Sequence, residues 1–93
     1  MIDLNILSKM AVDNSKKRGN VLEPLKHCAC EVVEAMEAFT LYREFKTDIL
    51  KEQLAGELAD VIMCALVLAG QEGIDVEDAL LECEEKNRAR GGK

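Results

Sequence analysis

Two short acidic pairs stand in otherwise apolar stretches of this chain: Glu31-Val-Val-Glu34 and Glu57-Leu-Ala-Asp60. On an α-helix, residues three apart lie on one face with Cβ atoms about 5–6 Å apart, so each pair presents two carboxylates side by side. Cys28, Val32, Val33, Ala35 and Met36 surround the first pair, and Leu58, Ala59, Val61, Ile62, Met63 and Cys64 the second. Carboxylates gathered away from water repel one another and need a cation. An all-oxygen ligand set selects Mg²⁺ or Mn²⁺ over softer metals.

The elements that must position these acids are helices. The chain has 93 residues, 48% apolar, 32% charged and only 3% aromatic, with one Pro. Aromatic and β-branched residues never form alternating runs, which excludes a sheet and predicts an all-α fold in a single domain over 1–93. A monomer this short buries little more than half of the surface its unfolded chain exposes, so the core is thin.

Ile2, Leu4, Ile6, Leu7, Met10 and Ala11 predict a first amphipathic helix over 2–14. The polar segment Asn14-Ser15-Lys16-Lys17-Arg18-Gly19-Asn20 reads as a chain reversal. Lys16, Lys17 and Arg18 are either a solvated loop or a flexible basic segment that folds over a triphosphate. A second helix is expected from Val21–Pro24 to Phe45, since Pro is tolerated in a first turn. Leu22, Leu25, Ala29, Val32, Val33 and Met36 read as its core face. Cys28, Glu31, Ala35, Ala38 and Tyr42 lie nearly opposite, a small-residue surface with room for another helix and a ligand.

Thr47 and Asp48 supply a cap for a third helix over 49–71. From Leu58 to Ala69 its only charge is Asp60. A helix apolar all round is central or packed at a subunit interface, and both are expected here, so the chain should form a homo-oligomer. Gly73 ends this helix in a left-handed cap and Asp75 starts a fourth, which runs to Arg90. Four antiparallel helices, bundle-like, are the simplest architecture.

A net charge of −6 argues against binding polymeric nucleic acid, which needs a basic face. No uncharged run is long enough to span a bilayer, and the N-terminal residues lack the basic-then-apolar order of a signal peptide, so a cytoplasmic location is expected. Cys28, Cys30, Cys64 and Cys83 read as reduced thiols; Cys28 and Cys30 are about 200° apart on a helix and cannot chelate one ion together.

The ordered acids Glu31-x-x-Glu34 and Glu57-Leu-Ala-Asp60, extended by Ala35-Met36-Glu37-Ala38 and Val61-Ile62, then Gly73-Ile74-Asp75 and Lys86-Asn87, resemble the MazG-like all-α nucleoside triphosphate pyrophosphohydrolase superfamily. The resemblance spans residues 20–90. It implies hydrolysis of a (deoxy)nucleoside triphosphate between the α and β phosphates, giving the monophosphate and pyrophosphate. By carry-over, Glu31, Glu34, Glu57 and Asp60 bind Mg²⁺, with Mn²⁺ as the alternative ion. Glu34 is the carboxylate assigned to orient or deprotonate the attacking water.

Lys86, Asn87 and Arg90 are candidates for phosphate or sugar contacts, or else form a solvated C-terminal turn. His27, one turn before Glu31, can contact phosphate or a water, or simply pack. The chain lacks the tryptophans that some members place near the base. Two other readings compete: a phosphoribosyl-ATP pyrophosphohydrolase, which shares the acidic layout, and a non-catalytic helical dimerisation module. Against the latter, no Lys or Arg lies within one turn of Asp60.

Overall fold

A computed structural model of the chain describes residues 2–17 and 24–91. They form four helices, α1 (Leu4–Lys17), α2 (Pro24–Phe45), α3 (Asp48–Gln71) and α4 (Val76–Ala89), with no strand among the described residues. The expected Arg18-Gly19-Asn20 reversal and the inward role of Leu22 fall outside the described residues.

Local chemistry sets the helix ends. Asp3 Oδ1 accepts from the backbone N–H groups of Asn5 and Ile6 and starts α1. Thr47 Oγ1 accepts from Leu50 N at 3.2 Å and starts α3, as its sequence predicts. α3 stops at Gly73, whose φ of 67° lets Ile74 N donate back to Ala69 O. Asp75 Oδ1 accepts from Asp78 N at 3.0 Å and starts α4.

The first helix differs from its sequence expectation. Asn14, Ser15, Lys16 and Lys17 continue α1 and do not form a loop. The reason is a stripe of small residues, Ser8, Ala11 and Ser15, that lies flat against α3. Ser8, 2% exposed, donates its hydroxyl to Leu66 O. Gly70 completes this contact: a Cβ there would fall 2.6 Å from Val12 Cγ2 and 2.7 Å from Ser8 Oγ. The backbones of α1 and α3 approach as closely as they do because α3 carries no side chain at this point.

α3 lies between α1 and α2 and packs along both. The core is correspondingly small, with Ala11, Ala35, Leu66 and Val67 as its buried apolar residues. α2 turns to α3 the face holding Ala35, Cys28, Glu31, Ala38 and Tyr42. The stripe expected to be its core face points outward instead, with Leu25 70% and Met36 62% exposed and Val32 and Val33 exposed beside them. Small side chains explain the inversion, since they let α3 approach closely, whereas the bulky stripe would hold it away.

α4 is joined to the body through its first turn. Asn5 Nδ2 donates to Asp75 Oδ1, Asn5 Oδ1 accepts from Val76 N, and Glu77 Oε1 accepts from Leu4 N. Beyond that turn Leu80 and Leu81 are exposed, so a single chain does not close a four-helix bundle around α4. By length and composition alone, α3 is also apolar enough to cross a membrane.

Candidate metal centre

The antiparallel seam between α2 and α3 builds the site. Glu31 lies on the small-residue face of α2, four residues after His27 and four before the buried Ala35. Glu57, Asp60 and Cys64 follow at intervals of three and four along α3 and so share one of its faces. Opposed in this register, Glu31, Glu57 and Asp60 each bring a carboxylate oxygen within 4.8 Å of the other two.

Glu31 and Glu57 are partly withdrawn from water, whereas Asp60 is exposed. The Glu31 side chain is only 15% exposed, and Glu57 Oε2 is buried with no hydrogen-bond partner. Among the described residues no Lys or Arg forms an ion pair with any member of the group; the imidazole of His27 lies beside it, with Nε2 at 3.5 Å from Glu31 Oε1. Burial raises the Glu31 carboxyl above its ordinary value, and the charges of Glu34 and Asp60 push it further, against a smaller opposing effect of His27.

Glu34, the fourth acid of the sequence pattern, is exposed one turn along α2. It acts on Glu31 through its charge but lies outside the group of three. Lys86 and Asn87 on α4, and Arg90 just past its end, do not line the cleft beside the acids. There Arg90 donates to Asn87 Oδ1 at 2.9 Å, and Asn87 Nδ2 lies 3.9 Å from Cys83 Sγ.

A cleft of ≈ 420 Å³ opens beside the acids, a size suited to a small ligand. His27, Glu31, Asp60 and Cys64 form its polar wall, and Asn14 and Ser15 of α1 face them. Ser15 is 2% exposed and its hydroxyl has no partner. Asn14 and Ser15 escape sequence reading as site residues because the apolar period fades by residue 14, where the first helix is expected to end. The spacing of Ser8, Ala11 and Ser15 was the available signal. Cys64 is a protonated thiol at neutral pH, pushed up to about 11 by burial and by the adjacent Cys28.

The donor set fits a hard divalent cation. Oxygen ligands at bonding distance from one ion lie roughly 3 Å apart, a modest contraction of the observed group. A cation there would also compensate the Glu57 carboxylate, whose Oε2 is buried without a partner. No protein family, curated protein or solved structure matches the chain in comparisons with each.

Proposed function

We propose that this chain is a Mg²⁺-dependent nucleoside triphosphate pyrophosphohydrolase, adding water across the α–β anhydride of a (deoxy)nucleoside triphosphate to release the monophosphate and pyrophosphate. One observation carries the reading: the Glu57 carboxylate, whose Oε2 is buried without a hydrogen-bond partner, is grouped with Glu31 and Asp60 where no Lys or Arg among the described residues forms an ion pair with them. The order and spacing of the acids, which resemble those of the MazG-like superfamily, supply the choice of reaction.

In this reading Glu31, Glu57 and Asp60 hold the ion, Mg²⁺ or Mn²⁺, from two helices. When bound, it neutralises phosphate oxygens and makes water a better nucleophile near neutral pH. Glu34, exposed and one turn from Glu31, is the group assigned to orient the attacking water and accept its proton. The cleft between α1 and the acids takes the rest of the nucleotide. His27 at the rim is placed to meet phosphate, whereas Lys86, Asn87 and Arg90 reach substrate only if α4 of a second copy brings them there.

A second copy is part of the proposal. The chain exposes 7281 Å², whereas a folded monomer of 10.3 kDa exposes about 5,400 Å². Its radius of gyration is 15.2 Å, against about 12 Å for a compact domain of this length. The excess of roughly 1,900 Å² per chain is in the range of obligate homodimer interfaces. An apolar groove of ≈ 410 Å³ lined by Val32, Ala35, Met36, Phe39, Leu54 and Leu58, on the outer face of α2 and α3, offers a surface for that second copy. A second copy packed on that face would cover part of the apolar length of α3 without a membrane, in keeping with the proposed cytoplasmic enzyme acting on soluble nucleotides.

The test is incubation of the purified protein with Mg²⁺ and a panel of ordinary and modified NTPs and dNTPs, with phosphoribosyl-ATP beside them. Monophosphate and pyrophosphate should form from a member of the nucleotide panel, and Asp60→Asn should abolish turnover. Turnover of phosphoribosyl-ATP alone would reassign the substrate. Lack of turnover throughout leaves the dimerisation module as the better account, and an Asp60→Asn variant of wild-type activity overturns the metal assignment.

A further inference from the structure

The cleft wall carries a second ligand group whose chemistry differs from that of the acids. His27, Glu31 and Cys64 each offer one atom, an imidazole nitrogen, a carboxylate oxygen and a thiol sulfur, and these lie within 4.8 Å of one another. The two helices that contribute them are fixed by the same small-residue seam that joins Glu31 to Asp60. We propose that this N, O, S group is a separate site for a zinc-class transition-metal ion, sharing Glu31 with the oxygen-only site.

Ligand type separates the two sites. Mg²⁺ prefers oxygen and gains little from imidazole or sulfur, whereas Zn²⁺ and Co²⁺ bind all three donors and accept a tetrahedral arrangement. Zinc bonds of about 2.0–2.3 Å place neighbouring ligand atoms roughly 3.5 Å apart, so a contraction of about 1 Å completes the group. His27 Nε2 is already 3.5 Å from Glu31 Oε1. Entry is open, because the His27 side chain is 46% exposed and the group lines the cleft. Three protein ligands leave a fourth position facing the cavity, the arrangement of zinc sites that carry a water or a ligand. A second feature of the same cavity points to a polar occupant: the Ser15 hydroxyl, buried and unpartnered, lines it independently of the three ligands.

Cobalt reports the site without reference to turnover. Co²⁺ titrated into the reduced, Mg²⁺-free protein should bind one ion per chain, with near-ultraviolet sulfur-to-cobalt charge transfer and the intense visible bands of four-coordinate Co²⁺. Cys64→Ser should remove the charge-transfer band, and His27→Ala should weaken binding about tenfold or more, each with wild-type helical circular dichroism. Glu57→Gln, which disables the oxygen-only site, should keep the cobalt spectrum, so the two proposals fail separately. Absence of charge transfer in the wild type, or a band that survives in Cys64→Ser and is lost in Cys28→Ser, Cys30→Ser or Cys83→Ser, overturns the assignment.

Discussion

Glu31 on α2 and Asp60 on α3 face each other across one helix seam, with carboxylate oxygens within 4.8 Å and Glu57 completing the group. Like charges this close, with one member 15% exposed, destabilise the metal-free fold at neutral pH. A proton or a cation relieves that repulsion, and the two compete for the same oxygens.

The competition gives a pH dependence of known sign. Glu31 has a folded-state pKa raised above the ordinary value of 4.5, chiefly by burial. Between the unfolded and folded values the native state binds more protons than the unfolded chain. This group's contribution to stability is therefore favourable at low pH and is lost as pH rises through the folded value. Metal binding runs the opposite way, because it needs the ionised carboxylate. Mg²⁺ affinity measured by calorimetry should fall as pH drops from neutral toward the raised Glu31 value, with net proton release on binding in that window. Affinity independent of pH there would remove Glu31 from the ligand set.

Glu57→Gln separates stability from metal binding. Replacing a half-buried carboxylate, whose Oε2 is buried without a partner, by a neutral amide should stabilise the metal-free protein by about 1 kcal/mol. For a domain of this size that corresponds to a rise of roughly 4–8 °C in Tm. Mg²⁺ should raise the Tm of the wild type and leave the variant unmoved. Thermal circular dichroism with and without Mg²⁺ reads both effects, and a variant less stable than wild type in the absence of metal would contradict the unpartnered state of Glu57.

Gly70→Ala tests the α1–α3 contact that closes the cleft. The added methyl meets Val12 Cγ2 at 2.6 Å and Ser8 O at 3.1 Å, and the latter is backbone that cannot swing aside. Overpacking of about 1–3 kcal/mol should outweigh the gain of about 1 kcal/mol in helix propensity. Denaturant unfolding should show a net loss of up to about 2 kcal/mol. A neutral or stabilised variant would mean that α1 is not held at this distance.

Met36→Glu tests the outer face. Met36 is 62% exposed in the single chain and lines the apolar groove, so a charge there is harmless to a monomer and disruptive to a packed pair. Light scattering at micromolar concentration should give a dimer or larger assembly for the wild type and a shift toward monomer for Met36→Glu. A monomeric wild type would sink the assembly proposal while leaving the metal site untouched.

Much of this architecture was legible from residue types. Thr47 and Asp75 mark helix starts because their side chains reach the free N–H groups of the following turn, and Gly73 marks a stop because it tolerates positive φ. These are local interactions, complete within a few residues. The end of α1 was not legible, because Asn14 to Lys17 are polar and carry no apolar period. They stay helical because Ser15 lies against α3, a partner distant in sequence.

The sequence by itself determined that this chain is all-helical, where three of its four helices begin and end, and that Glu31, Glu57 and Asp60 lie on faces able to share an ion. Those properties follow from backbone hydrogen bonding, capping and the 3.6-residue period, all short-range. Only the tertiary structure decided which face of α2 turns inward, that Glu34 stands outside the group of three, and that His27 and Cys64 join Glu31 at the cleft. Apolar periodicity locates a greasy stripe but does not name its partner. Here close approach favoured the small-residue face for α3 and left the bulky stripe exposed.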